Sequence, residues 1–145
     1  MKKIIHFVRI HDDPEKVYRA LTTKEGLTGW WSTSVNVQPG IIRFYFGGDF
    51  NPEMEVTKLE PNRLVEWKCV GGHDKWRDNT FTFELRDVNG EAHLMFVQVY
   101  AQELSDEDYG TYNFNWGYYL GSLKHLCETG TGTPFKAITT VDYSG

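Results

Sequence analysis

Large side chains recur at helical spacing in the last third of this chain, after a long stretch of strand-like sequence. They are Tyr112, Trp116, Tyr119, Leu120, Leu123, Leu126 and Cys127. Spacings of three and four residues place them on one face of a helix, which we expect to span residues 105–129. Large rings that cannot pack closely on a buried face form the wall of a cavity. The pattern therefore predicts a long helix against a curved sheet, with a ligand-sized space between them.

The sequence between residues 32 and 100 has the signals of strands and turns. Residues 41–46, 54–59 and 64–70 are predicted strands, and Gly, Pro or Asn residues interrupt the sequence between them. The order of elements is a strand, two short helices, several strands and one long helix. A run of strands followed by a helix favours an α+β fold over a wound parallel sheet. We expect one antiparallel sheet of six or seven strands.

The dipeptide Asn89-Gly90 strongly favours a two-residue type I′ hairpin turn. Such a turn sets the register of the strands on either side of it, and the facing pairs are then Leu85 with Leu94, Phe83 with Phe96, and Phe81 with Gln98. This apolar face is predicted to be the inner face of the sheet, so Gln98 is expected to point inward. A buried amide needs a hydrogen-bond partner. A ligand, a helix carbonyl or a buried water could each serve.

The first thirty residues predict a strand followed by two short helices. Residues 2–11 are rich in β-branched and aromatic side chains. Asp13 suits the N-cap of the first helix, and Pro14 suits its first helical position. A second helix is expected near Lys24–Trp30, with Trp30-Trp31 at its end.

Charge and cysteine content limit the classes of partner and compartment. The net charge is −5, and basic residues are scattered along the chain, which argues against nucleic acid or an anionic membrane as partner. Cys69 and Cys127 have no metal or redox spacing, so we expect buried thiols in a reducing compartment, the cytoplasm. The apolar run after Lys3 is too short and too polar for a signal or membrane segment.

The search for catalytic and metal-binding motifs gives little. The five histidines lie far apart in sequence, so no metal site is predicted: His6, His11, His73, His93 and His125. The chain has neither a phosphate-binding loop nor a nucleophile elbow. We therefore predict no catalytic residue and no cofactor, and we expect His73 and Asp74 to be solvated in a loop.

Several short motifs, in this order, resemble those of the START-like (SRPBCC) superfamily, also called Bet v-like or helix-grip. Within it, the chain is most similar to bacterial homologues of the activator of the ninety-kilodalton heat-shock-protein ATPase. The resemblance covers roughly residues 3–135. The motifs lie at residues 13–22, 29–31, 60–69, 75–76, 80–85, 116–124 and 128–134.

The resemblance implies a helix-grip fold, in which a curved antiparallel sheet grips the long C-terminal helix around an internal cavity. Members bind lipids or small hydrophobic molecules there, and some relatives catalyse cyclisation or dehydration. Many relatives carry a His-containing segment where this chain has Gln98, so any titratable role of that His is absent. The predicted ligand-binding residues are Trp31, Phe44, Phe46, Trp67, Trp76, Phe81, Phe83, Phe96, Gln98, Tyr112, Trp116 and Leu120. Packing of helix on sheet alone also accounts for many of them.

The preferred function is binding of a small hydrophobic or aromatic molecule without a cofactor. Two alternatives remain, namely a cavity-based enzyme of the cyclase, dehydratase or hydrolase type, and a co-chaperone-like protein-interaction domain. We expect one domain over residues 1–135 in a monomer or homodimer. The tail, residues 136–145, is expected to dock on the domain or on a partner chain, because Ile138, Val141 and Tyr143 continue a strand-like pattern from Phe135.

Overall fold

One antiparallel sheet of seven strands forms the frame of the molecule. The computed structural model describes residues 2–137 of the 145 in the chain. The strands are β1 (Lys3–Ile10), β2 (Val35–Gln38), β3 (Ile41–Phe44), β4 (Glu53–Glu60), β5 (Leu64–Gly71), β6 (Thr80–Val88) and β7 (Glu91–Val99). Their spatial order is β1-β7-β6-β5-β4-β3-β2. The predicted α+β class and antiparallel sheet are confirmed, and the short strand β2 was not delimited from the sequence.

The hairpin of β6 and β7 has the register predicted from its turn. Leu85 pairs with Leu94, Phe83 with Phe96, and Phe81 with Gln98. Both turn residues have positive φ, 55° at Asn89 and 85° at Gly90, as a type I′ turn requires. All four inward-facing residues of β7 are buried in the core, namely Ala92, Leu94, Phe96 and Gln98.

Two short helices, α1 (Pro14–Thr22) and α2 (Lys24–Trp30), follow β1 as predicted. The Asp13 carboxylate accepts a hydrogen bond from the Lys16 backbone N–H at 2.9 Å and so caps α1. A Cβ on Gly26 would lie 2.4 Å from the Ala20 Cα atom. The two helices can therefore approach this closely because position 26 has no side chain.

The long helix α3 (Asp106–Thr129) packs on the inner side of the sheet. Ser105 caps it by accepting a hydrogen bond from the Asp108 N–H at 3.1 Å, and Gly130 ends it with a φ of 89°. The predicted apolar face is confirmed, because its members are buried or half-buried: Tyr112, Trp116, Tyr119, Leu120, Leu123, Leu126 and Cys127. None of the helices within residues 2–137 has the length and apolar character to cross a membrane.

After α3 the chain returns to the end of α2. The Phe135 N–H donates to the Trp31 carbonyl at 2.8 Å, and the Thr33 N–H donates to the Phe135 carbonyl at 2.9 Å. The Ala137 N–H then donates to Oγ1 of Thr33 at 2.9 Å. The chain up to residue 137 is therefore docked on the domain. Ile138, Val141 and Tyr143, which carry most of the predicted tail pattern, lie outside the described residues.

Candidate functional site

Three tryptophans from different parts of the chain meet near the middle of α3. Trp31 follows α2, Trp76 belongs to the short 3₁₀ turn Asp74–Trp76, and Trp116 lies on α3. Ring centroids are 5.0 Å apart for Trp31 and Trp116 and 6.1 Å apart for Trp76 and Trp116, and the ring planes are inclined by 30° and 16°. The exposed fraction of each is only 2 %, so the indole rings form a rigid apolar floor.

A cavity of about 260 Å³ lies over this floor, between α3, the loop before β4 and the segment after α3. Eight of its nine lining residues are aromatic: Trp31, Phe46, Phe50, Trp76, Tyr112, Trp116, Tyr119 and Phe135, with Asn115 as the ninth. Five of these were among the predicted site residues, namely Trp31, Phe46, Trp76, Tyr112 and Trp116. The structure thus brings Tyr112 and Trp116 of the predicted helix to one space with Trp31 and Trp76.

The other seven predicted site residues lie in the core and do not line this cavity: Phe44, Trp67, Phe81, Phe83, Phe96, Gln98 and Leu120. Phe96 and Phe44 support its wall, since Phe96 lies 4.3 Å from Trp116 and Phe44 lies 4.4 Å from Trp31, centroid to centroid. The Gln98 Oε1 atom accepts a hydrogen bond from the Trp116 indole at 2.8 Å. The inward amide of the hairpin therefore has a partner within the protein.

Four lining residues were absent from the predicted site: Phe50, Asn115, Tyr119 and Phe135. Phe50 follows Gly47-Gly48 in a loop, where no periodicity indicates a direction. Its ring stacks on Phe46 with centroids 4.7 Å apart. Phe135 had been noted only as the start of the tail, yet its ring lies 5.5 Å from Phe46 and closes one side of the cavity. The apolar stripe that predicted Tyr119 on the buried face was the one signal available for it.

His73 lies at the rim of the cavity and is half-buried there, so the expectation that it is solvated holds only in part. Its ring lies 4.6 Å from Phe50 and 5.3 Å from Trp76, centroid to centroid. Its Nε2 atom is 3.0 Å from the Tyr112 hydroxyl oxygen, within hydrogen-bonding distance. Burial lowers the pKa of His73, and burial raises the pKa of Tyr112. Asp74, by contrast, is exposed as expected.

A second buried tyrosine lies under the tryptophan floor. The Trp76 indole N–H donates to the Tyr100 hydroxyl at 3.1 Å. Burial raises the pKa of Tyr100 well above its usual value, so this hydroxyl stays protonated. Tyr100 and Gln98 thus each accept a hydrogen bond from an indole of the floor, which fixes the two rings from below.

Charged groups lie outside the cavity, near the His73 end. Lys75 pairs with Asp108 at 2.9 Å across the gap between the 3₁₀ turn and α3. No group of His, Cys, Asp and Glu side chains among the described residues could hold a metal ion. Larger hollows of about 890 and 960 Å³ are open depressions bordered mainly by charged and polar residues. The aromatic cavity is therefore our candidate site, because a mainly apolar, aromatic wall with few polar groups is typical of small-molecule sites.

The fold and this site can be compared with known proteins. Residues 12–128 match the model of a family described as "Activator of Hsp90 ATPase homolog 1-like protein". The chain belongs to this family. The family falls in the START-like superfamily, so the resemblance seen in the sequence is confirmed.

Solved structures of similar proteins show the same architecture. The Aha1 dimer from Colwellia psychrerythraea is 34% identical, with a TM-score of 0.81 over 91% of this chain and 100% of that one. Proteins from Mesorhizobium loti and Staphylococcus saprophyticus are 22% and 19% identical, with TM-scores of 0.72 and 0.70. The first alignment covers 86% of this chain and 96% of that one, and the second covers 91% and 96%. These two likenesses show the fold alone. No curated protein sequence matches the chain.

Proposed function

We propose that the protein binds a small hydrophobic or aromatic molecule in the cavity between α3 and the sheet, without a cofactor. The observation that carries this proposal is the aromatic lining, eight of nine residues around about 260 Å³. A core built only for stability would close-pack, whereas here large rings hold a space open. Folds of this superfamily commonly bind hydrophobic ligands, which also supports the proposal.

The twelve predicted site residues take two roles in this proposal. Five would face the ligand directly, and the remaining seven lie in the core behind them. The indole hydrogen bonds to Gln98 and Tyr100 restrict the rotation of Trp116 and Trp76. A ligand would therefore meet a preformed wall, which lowers the entropic cost of binding.

Native mass spectrometry of the purified protein tests the proposal. The wild-type protein is expected to carry a non-covalent mass that dissociates on collisional activation. Asn115→Trp adds a bulky ring at the exposed rim of the cavity and should remove that mass. Thr111→Trp, an equal addition at an exposed position of α3 outside the lining, should keep it. A wild-type protein that carries no ligand and shows no saturable binding of naphthalene or of its hydroxylated analogue 2-naphthol would contradict the proposal.

A protein-interaction role is the second candidate, and an exposed apolar patch on the outer face of the sheet favours it. Ile5 and Phe7 on β1 are exposed at 55% and 47%, and they pair with Val97 and Met95 on β7. The family description names an activator of the Hsp90 ATPase. Stimulation of an Hsp90-type ATPase by the wild-type protein, and not by Phe7→Glu, would support this role.

We infer one domain over residues 1–135, present as a monomer or homodimer in the cytoplasm. A similar protein was solved as a dimer. Here Phe114 and Tyr118 lie one turn apart on α3 and are exposed at 75% and 52%. Cys69 and Cys127 are buried and unpaired, and burial raises the pKa of Cys127 to about 12, so both suit a reducing compartment. Light scattering of Phe114→Glu tests the dimer, whose mass should fall to that of one chain.

A further inference from the structure

We propose that the Tyr112–His73 pair is the polar anchor of the cavity, and that it selects aromatic ligands that carry a hydroxyl group. This inference rests on the proposed function and deepens it, because it names the chemistry of the ligand. The ligand class is a phenol or a comparable hydroxylated ring system of one or two fused rings.

The position of the pair at the rim of the cavity supports an anchor. Tyr112 lines the cavity, and its hydroxyl oxygen is 3.0 Å from Nε2 of His73. The His73 ring also packs on Phe50 and Trp76, two further lining residues. Because His73 is fixed by these rings, it holds the Tyr112 hydroxyl at a defined place where the apolar wall meets polar groups.

The hydrogen-bonding capacity of the pair matches a hydroxyl. A neutral imidazole and a protonated phenol share one hydrogen between Nε2 and the hydroxyl oxygen. If the phenol donates to His73, the Tyr112 oxygen can still accept a hydrogen bond from a ligand. If the imidazole donates, the Tyr112 hydroxyl can donate to a ligand. A ligand hydroxyl both donates and accepts, so it fits either arrangement, and a plain hydrocarbon ring satisfies neither.

Other polar groups near the cavity are less suited to this role. Gln98 and Tyr100 already accept hydrogen bonds from the two indoles and do not line the space. Asn115 lies at the solvent-exposed rim, where water competes for its amide. Tyr119 is half-buried in the lining and is the one serious competitor, so the experiment must separate it from Tyr112.

The test compares naphthalene and 2-naphthol, which share a ring system and differ in one hydroxyl. Dissociation constants are measured by ¹H–¹⁵N NMR titration of the full chain. Tyr112→Phe removes one oxygen atom. It should weaken the binding of 2-naphthol about tenfold and change the dissociation constant of naphthalene by less than about twofold. Tyr109→Phe makes the same change one turn earlier on α3, outside the lining, and should leave both constants unchanged.

His73→Phe supplies a second test, because it keeps a ring against Phe50 and Trp76 and removes the nitrogen that positions Tyr112. This variant should also weaken the binding of 2-naphthol and leave the binding of naphthalene unchanged. Equal effects on both compounds, or a loss of selectivity in Tyr119→Phe and not in Tyr112→Phe, would overturn this inference and leave the proposed function standing. A wild-type protein that binds neither compound would overturn both.

Discussion

The indole Nε1 of Trp116 donates a hydrogen bond to Oε1 of Gln98 at 2.8 Å, and this bond ties the middle of α3 to the inner face of β7. Gln98 is fully buried, and its Nε2 atom has no partner among the described residues. The amide is therefore held at one end only. The contribution of the Trp116–Gln98 hydrogen bond to stability can therefore be measured by mutating both residues.

We expect Gln98→Leu to destabilise the fold by about 1–3 kcal/mol, because the buried Trp116 N–H loses its acceptor. In a Trp116→Phe background the same change should be neutral or stabilising, because no donor is left unpaired and an unpartnered amide is removed. Urea denaturation of the four proteins of this cycle gives the coupling energy. Naphthalene affinity should fall only slightly in Gln98→Leu, because Gln98 fixes Trp116 from the core and does not itself line the cavity. A large loss of affinity with intact stability would instead make Gln98 a ligand contact.

His73 should make stability depend on pH. Burial lowers its pKa in the folded protein, although the nearby Asp49 and Asp74 act in the opposite direction and Lys75 reinforces burial. Between the lowered folded pKa and the ordinary value of 6.5, the unfolded chain binds more protons. The contribution of His73 to stability is therefore full above pH 6.5 and is lost as the pH falls through the folded pKa.

The measurement is urea denaturation at a series of pH values, compared between the wild-type protein and His73→Phe. The variant should lose stability less steeply below pH 6.5 than the wild type, since it lacks this titration. Tyr112 and Asp108, which face the same region from α3, are unchanged in both proteins. Parallel pH curves for the two proteins would show that burial of His73 has no thermodynamic effect.

Substitution by alanine should have opposite effects on stability at Gly72 and at Gly121. A Cβ on Gly72 would lie 1.8 Å from the Asn51 carbonyl oxygen, and its φ is +79°, so Gly72→Ala must displace the loop that carries Phe50. We expect a loss of at least about 2 kcal/mol and weaker ligand binding. Gly121 lies inside α3 with open space around its Cβ position, so Gly121→Ala should stabilise by about 1 kcal/mol.

Thermal and urea unfolding of both variants check this pair. A destabilised Gly121→Ala would show that another surface, such as a second copy of the chain, approaches α3 at that point. Light scattering on the same sample would then report whether the mass had fallen. A stable Gly72→Ala would mean that the loop before β4 can move without cost.

The sequence correctly predicted the features that depend on a local motif or on the periodicity within one element. The Asn89-Gly90 turn fixed the pairing of Phe83 with Phe96, because a two-residue hairpin leaves one register. Asp13 marked the start of α1, because its side chain can cap exposed N–H groups. The apolar period of α3 placed Trp116 on the buried face.

The cavity could be predicted only in part, because its wall combines segments with no periodic relation to each other. Phe50 enters from a glycine-containing loop, and Phe135 enters from the chain after α3. Periodicity gives the direction of a side chain within an element and says nothing of where such irregular segments return. For the same reason the partial burial of His73 could not be predicted, because it depends on Phe50, Trp76 and Tyr112 meeting around it.

The C-terminal segment gives the last prediction. Phe135 lines the cavity, and hydrogen bonds join residues 135–137 to Trp31 and Thr33. Deletion of residues 135–145 should therefore lower the free energy of unfolding by about 2 kcal/mol or more, because it removes a half-buried ring and opens the cavity.

Deletion of residues 138–145 leaves these contacts and tests the predicted docking of the tail itself. If that tail docks on the domain, this deletion should lower the free energy of unfolding. A control that removes only Ser144 and Gly145, and so keeps Ile138, Val141 and Tyr143, should lower it less. If the tail docks on a second chain, light scattering shows a lower mass. Unchanged stability and mass in the shorter deletion would restrict docking to residues 135–137.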